Sequence, residues 1–494
     1  MTPSQDDSPL WTPDALEAAT GGRWIGDRRS ISGASIDTRT LQPGDLFFAI
    51  RGDVRDGHDF VAQALGNGAG AAVVSEGRAE DLTAAGPVLA VPGEGADPVL
   101  TAMERIGRAA RARSHAQVVA VTGSVGKTGT KEALRHVLSG QGPTHASAAS
   151  YNNHWGVPLT LSRMPASARY GVFEIGMNHP AEILPLTRMV RPQVALVVTV
   201  EPVHIEHFPS VSAIADAKGE IFAGLEPGGV AVLNRDNPHF ARLAAHAMAS
   251  GAGRIVSFGE HPESDVRANR IILRPDLSVV DASVMGQPVT YKLGMAGRHT
   301  ALNSLGVMAV VHSLGADLAA AALSLAALSP PAGRGERTAL EMPGGTAWLV
   351  DESYNANPAA VRAALATLAG IETGPRGRRI AVLGDMLELG TASPDLHRDL
   401  AGAVEAAGVD LVFAAGPLTR HLYEALPVRH RGAVADTSVD LVEPLTKTLR
   451  PGDAVMVKGS NGSRMGRIVE ALKARYAAPQ TRRDSLGGPA ATRA

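Results

Sequence analysis

Residues 119–130 read Val-Ala-Val-Thr-Gly-Ser-Val-Gly-Lys-Thr-Gly-Thr. An apolar run, Val118 to Val121, leads into a turn that holds Gly123 and Gly126, and a helical pattern follows. Polyphosphate binding requires that order. Glycines let backbone N–H groups approach phosphate oxygens, a lysine places a point charge at the β/γ-phosphates, and the next hydroxyl can hold Mg²⁺. The helix that begins there adds the positive end of its dipole. Gly123, Ser124, Val125, Gly126, Lys127, Thr128 and Gly129 therefore form the candidate ATP seat. The commoner loop pattern has a glycine where Val121 stands; the form here is the shorter Thr-Gly-Ser-x-Gly-Lys-Thr. Ala133, Leu134, Val137 and Leu138 mark one apolar helix face, and Gly140 is its expected stop.

Working outward, the chain has 494 residues, room for about three domains. It is 45% hydrophobic and 19% charged, the balance of a soluble globular protein. A net charge of −2 gives no field that would gather nucleic acid or an anionic membrane. The absence of cysteine excludes disulfides, thiolate zinc sites and cysteine nucleophiles. Met1 to Pro9 is polar and acidic, unlike a secretory signal. The most apolar stretch, Leu305 to Leu328, is broken by His312 and Asp317 and reads as core helices, not a membrane span. A cytoplasmic location is expected.

Three α/β segments are expected. Residues 1–112 form a small N-terminal domain with short apolar runs at Leu46–Ile50 and Ala71–Val74, ending in a solvated helix end with Arg108, Arg111 and Arg113. Residues 113–331 form a doubly wound sheet with a largely parallel core, its strands including Val172–Ile175 and Val194–Val200. Ser329-Pro330-Pro331-Ala332-Gly333 is a linker, and residues 332–476 alternate again as a Rossmann-like domain. The tail, 477–494, lacks apolar periodicity and is expected to be disordered.

Open α/β sheets gather ligands at the carboxyl ends of their strands. Glu174 ends one such strand, His204 lies just past another, and Lys218 follows on a helical stretch. Each alone is ordinary: a solvated acid, a packed histidine, a surface lysine. Taken together, Glu174, His204 and Thr128 offer hard or borderline ligands compatible with Mg²⁺.

These motifs resemble the Mur ligase family of ATP-dependent amide-bond synthetases over nearly everything from Asp37 to Glu470. Thr122–Thr128 is similar to the family's phosphate loop, Tyr151-Asn152-Asn153-His154-Trp155-Gly156-Val157-Pro158 to its Asn-Asn-x-x-Gly-x-Pro element, and Phe173–His179 to its acidic metal-binding strand. The resemblance implies that Lys127 contacts the β/γ-phosphates, that Thr128 and Glu174 hold one Mg²⁺, and that His204 holds a second. It implies that Lys218 is carbamylated by CO₂, which turns a cation into an anionic oxygen ligand. Gly297–Asn303 resembles the adenine-side element; Thr300 stands where the family often has Asn, while Asn303 is retained. Arg334, just past the linker, resembles the arginine that reaches the γ-phosphate on domain closure, and Asp351 the residue that meets the ribose. Lys127, Lys218 and Arg334 are thus the expected catalytic residues.

Within the family, Tyr354-Asn355-Ala356-Asn357-Pro358 resembles the branch that joins D-alanyl-D-alanine to a UDP-N-acetylmuramoyl-tripeptide in peptidoglycan precursor assembly. The Asp-Asn-Pro-Arg signature of the diaminopimelate-adding branch is absent. Tyr354, Asn355 and Asn357 become candidates for the dipeptide, with Asn152 and Asn153 also on the substrate side. Asn355 and Asn357 are equally well read as turn builders. Asp37, Thr38 and Arg39 resemble residues at the uridine and diphosphate end. The implied reaction is carboxylate activation as an acyl phosphate, followed by attack of the dipeptide amine. The base for that amine stays open among His179, His204 and a substrate oxygen. Another amino-acid or glutamate ligase of the family, a P-loop phosphotransferase, a GTPase and an inactive nucleotide-binding scaffold are the rivals. No Asn-Lys-x-Asp guanine element is present. A monomer is expected.

Overall fold

The computed structural model describes residues 9–476, apart from Asp53, Glu94, Gly95, Ala149 and His204. The tail expected to be disordered, and the metal ligand expected at His204, therefore lie outside the described residues. The chain divides into two compact units, Met1–Ser329 and Pro330–Ala494. The break falls within the Pro-Pro segment read as a linker.

The first unit contains two sheets. A five-stranded sheet runs in the order Arg23–Ile25, Val88–Val91, Ala71–Ser75, Asp45–Phe48, Gly33–Ser35. All neighbours are parallel except the first pair. Its strands read as continuous apolar runs because both faces are covered: Phe48 and Val73 enter one core and Phe47 and Val74 the other. Helix Pro98–Arg113 leads away from this sheet. Asp97 caps it by accepting from Val99 and Leu100 N–H, and Pro98 takes the first turn. Gly107 lets it lie close against helix Gly156–Ser162; a Cβ there would sit 3.2 Å from the Pro158 carbonyl oxygen.

The helix does not end as a solvated basic patch. Arg108 is exposed, but Arg111 is buried and donates to the carbonyls of Val190 (2.8 Å) and Arg191 (2.8 Å). Those are the unsatisfied last carbonyls of helix Ile183–Val190, which a guanidinium satisfies well. Arg113 lies over the Trp11 ring at 3.7 Å. Spacing alone does not reveal such partners.

The second sheet has nine strands. From one edge they are Thr144–Ala146, Tyr170–Glu174, Gln117–Thr122, Val194–Val197, Val230–Asn234, Arg254–Gly259, Val266–Leu273, Ser278–Val284 and Gln287–Leu293. The first seven are parallel, and the last two extend the sheet as an antiparallel meander. Alternation sets the faces: Val119 and Val121 enter one core, Val118 and Ala120 the other, all fully buried. Each such valine stabilises by roughly 1.5–3 kcal/mol relative to exposure. Helix Arg298–Ser313, from the apolar stretch, lies in the first of these cores. Among the described residues no helix is long and apolar enough to cross a membrane.

The second unit carries a six-stranded sheet: Glu336–Met342, Gly345–Glu352, Ala454–Lys458, Arg379–Gly384, Leu411–Ala415, Arg431–Ala435. Only its first pair is antiparallel. All three sheets are α/β in character, as the alternating pattern implies.

Candidate active site

Strand Gln117–Thr122 has Tyr170–Glu174 on one side and Val194–Val197 on the other. The connections part here, and the chain leaves the strand at a switch point, where open sheets form crevices. The loop that follows needs its glycines. Gly126 has φ 86°, and a Cβ there would lie 2.6 Å from Asn303 Nδ2 and 3.1 Å from Val198 Cγ1. Asn303 thus packs on the loop. Thr300 instead turns its hydroxyl to the carbonyls of Ala296 (3.0 Å) and Gly297 (2.6 Å). Helix Lys127–Ser139 starts directly after Gly126 with no side-chain cap, so its first N–H groups suit an anion. The Lys127 ammonium folds over the loop and donates to the Gly123 carbonyl at 2.7 Å. Gly129 lies within the first turn of that helix.

Glu174 ends its strand buried, 1% exposed. Both carboxylate oxygens are held. Thr128 Oγ1 donates to Oε2 at 2.9 Å, and Asn152 Nδ2 donates to Oε1 at 2.7 Å. Such bonds offset the cost of burying the acid. Asn152, expected on the substrate side, is therefore engaged with the acid, and its carbonyl accepts from Gly176 N–H at 2.8 Å. Ser150 Oγ comes within 3.3 Å of Thr128 Oγ1.

Lys218 lies on helix Val211–Gly219 and is 2% exposed. Burial pushes its ammonium well below the ordinary lysine range, and the Lys127 charge acts in the same direction. No carboxylate among the described residues forms an ion pair with it. The Thr128 hydroxyl and Glu174 carboxylate are hard donors that fit Mg²⁺. Among the described residues no group of three or more His, Asp or Glu forms a cation cage. Mg²⁺ needs none, since it takes one or two protein carboxylates and fills its shell with waters and phosphate oxygens.

Asp37, Thr38 and Arg39 line one cavity of about 610 Å³, with Phe47, Phe60, Arg55, Tyr151 and Trp155 among its other walls. A bidentate contact from the Arg39 guanidinium holds the Asp37 carboxyl below its usual range. Thr38 Oγ1 donates to Gln63 Oε1 at 3.4 Å. Aromatic walls with a few charged groups at the rim suit a planar ring bearing an anionic tail. Tyr151 and Trp155 were not among the expected site residues. Their position beside Asn152-Asn153 is the one signal available. Asn153 Oδ1 accepts from Trp155 (3.2 Å) and Gly156 (2.9 Å) N–H and so shapes the turn that carries Trp155.

In the second unit, strand Gly345–Glu352 delivers Asp351, whose Oδ1 accepts from Ser353 N–H (3.0 Å) and its hydroxyl (2.6 Å). Asn355 Oδ1 accepts from Ala356 N–H at 2.9 Å. Asn357 is the N-cap of helix Pro358–Ala369 and accepts from Ala360 N–H at 2.9 Å. The buried Lys458 ammonium ties this turn to the sheet, donating to Glu352 Oε2 and the Asn355 carbonyl, both at 3.0 Å. The Arg334 guanidinium lies 4.1 Å over the Tyr354 ring.

Comparison with known proteins covers the same segments. Residues 30–120 match the Mur ligase family catalytic domain, 121–311 the Mur ligase middle domain, and 333–461 the Mur ligase glutamate ligase domain. The UDP-N-acetylmuramoyl-tripeptide–D-alanyl-D-alanine ligase of Escherichia coli is 34% identical over 463 residues, 94% of this chain and 98% of that protein. The ligase of the same name from Synechocystis is 34% identical, over 90% of this chain and 92% of its own. The crystal structure of MurF from Acinetobacter baumannii superposes with a TM-score of 0.80 at 29% identity, covering 94% of this chain and 99% of that one. With a phosphate loop, a buried strand-end acid and three matching domains in this order, the chain belongs to the Mur ligase family.

Proposed function

We propose that this chain is an ATP-dependent ligase that joins D-alanyl-D-alanine to the terminal carboxylate of a UDP-N-acetylmuramoyl-tripeptide. The observation that carries this is the likeness, over nine-tenths of both chains, to ligases of that name. The Tyr354-Asn355-Ala356-Asn357-Pro358 turn and the aromatic cavity at Asp37–Arg39 support it.

In the first step a carboxylate oxygen of the tripeptide attacks the γ-phosphorus of ATP. An O–P bond forms, the bond to the bridging β–γ oxygen breaks, and ADP leaves. In the second step the dipeptide nitrogen attacks the acyl carbon, the C–O bond breaks, phosphate leaves, and the nitrogen gives up its proton. The loop N–H groups and Lys127 seat the triphosphate, Asn303 flanks the loop, Asp351 meets the ribose, and Arg334 stabilises charge on the transferring phosphoryl group. When bound, Mg²⁺ would supply charge neutralisation at the phosphates; Thr128 and Glu174 would hold one ion and His204 a second. In its deprotonated form the Lys218 amine adds to CO₂, forming an N–C bond and losing a proton, and becomes an anionic oxygen donor. Asp37, Thr38 and Arg39 hold the UDP end, with Asn152 and Asn153 on the substrate side. Asn355 and Asn357 present amides to the zwitterionic acceptor. The enzyme acts as a cytoplasmic monomer.

The test follows phosphate release with ATP, Mg²⁺, UDP-linked tripeptide and D-alanyl-D-alanine, omitting each in turn. Sustained release is expected only when all are present. Turnover that proceeds without the dipeptide would overturn the assignment.

A further inference from the structure

Arg334 and Tyr354 meet because two short segments run alongside each other. The ladder between Glu336–Met342 and Gly345–Glu352 ends with Glu336 opposite Asp351. Beyond it, Gly335 N–H donates to the Asp351 carbonyl (2.8 Å) and Tyr354 N–H to the Gly333 carbonyl (3.1 Å). These bonds carry the pairing past the last ladder position. Gly333 has φ 72°, and a Cβ there would lie 3.0 Å from Tyr354 Cβ, so only glycine lets the segments approach this closely. The result seats the guanidinium on the ring face at 4.1 Å. No carboxylate among the described residues pairs with Arg334. The ring is therefore its defined side-chain partner, and a guanidinium stacked on an aromatic face keeps its N–H fork free at the edge.

We propose that Tyr354 is a positioning residue for Arg334: its ring holds the guanidinium with its donors presented, ready for the phosphoryl group. This rests on the reading of Arg334 as the charge-stabilising arginine. It gives the tyrosine a role other than touching the dipeptide. It also links the acceptor turn, which begins at Tyr354, to the arginine through one paired segment.

Kinetic constants of Tyr354→Leu, Tyr354→Phe and Arg334→Ala, and of the double variant Tyr354→Leu/Arg334→Ala, test this. Tyr354 is 39% exposed, so the fold tolerates its replacement; an unchanged thermal midpoint checks that. Tyr354→Leu is expected to lower kcat about tenfold, the scale of a partly desolvated cation–π contact, with KM for the dipeptide within about twofold of wild type. Tyr354→Phe keeps the ring and is expected to restore kcat. In the Arg334→Ala background, Tyr354→Leu is expected to cause no further loss. Independent, multiplying losses, or a Tyr354→Leu defect confined to the KM of the dipeptide, would overturn the proposal. An Arg334→Ala enzyme with wild-type rates would instead remove the reading on which it rests.

Discussion

Burial, with the Lys127 charge acting the same way, holds the Lys218 ammonium well below the ordinary lysine range. Lys218→Ala is expected to lower turnover by about 10²-fold or more, the scale of losing one preorganised electrostatic group. The wild-type protein in ¹³C-bicarbonate is expected to show a carbamate resonance that the variant lacks. Wild-type turnover in Lys218→Ala would end the carbamate role. A second buried base tests the electrostatics apart from catalysis. Burial pulls the His145 imidazole down to about 4, while its Nε2–H donates to the Thr160 carbonyl at 2.7 Å. An unfolded histidine titrates near 6.5. Between those values the unfolded chain takes up a proton that the folded chain refuses. The His145 contribution to stability is therefore whole above about pH 6.5 and declines by about 1.4 kcal/mol per pH unit as the pH falls toward 4. Urea unfolding at pH 7 and pH 5 is expected to show a smaller loss in His145→Gln than in wild type; equal losses would contradict the assignment. Neither environment is legible in the sequence, because both depend on distant segments. Lys218 was expected through resemblance, and nothing in its neighbours announces that it is buried. Glu174 was legible as a strand end, but not the paired bonds from Thr128 and Asn152 that make its burial tolerable.

At the scale of elements, periodicity and turn chemistry served well where signals are local. Helix Lys127–Ser139 closes at Gly140, as its apolar face and glycine imply. Strand Ala454–Lys458 and helix Pro358–Ala369 belong to the alternation expected of residues 332–476. The antiparallel meander beyond Arg254–Gly259 was not read. Its hairpin turns through Met285 and Gly286, with φ 50° and 84°, and a methionine at the first position hides the Asn-Gly signal such turns usually carry. The Arg108–Arg113 cluster misled for the opposite reason: basic spacing suggests solvent, yet Arg111 closes the end of another helix. Replacing it tests that role. Arg111→Met keeps the aliphatic stem and removes the donors, leaving the Val190 and Arg191 carbonyls unsatisfied. A loss of about 1–3 kcal/mol is expected, with faster amide exchange concentrated in helix Ile183–Val190. A variant with unchanged stability and exchange would show the contact to be incidental.

For the whole molecule, the order of domains was legible because each alternates strand and helix, with Pro-rich punctuation before the last sheet. The fold class followed from that alternation, and the family from motifs spread across all three sheets. The phosphate loop and buried acid belong to one unit, and Arg334 and the Tyr354–Pro358 turn to the other. What unites them is the claim that a carboxylate, not water, receives the γ-phosphoryl group. Oxygen-18 placed in the terminal carboxylate of the UDP-linked tripeptide tests it directly. After turnover with ATP and D-alanyl-D-alanine, mass spectrometry of the released phosphate should find one labelled oxygen, carried across by the acyl phosphate. Released phosphate without the label, beside a normal yield of amide product, would contradict it.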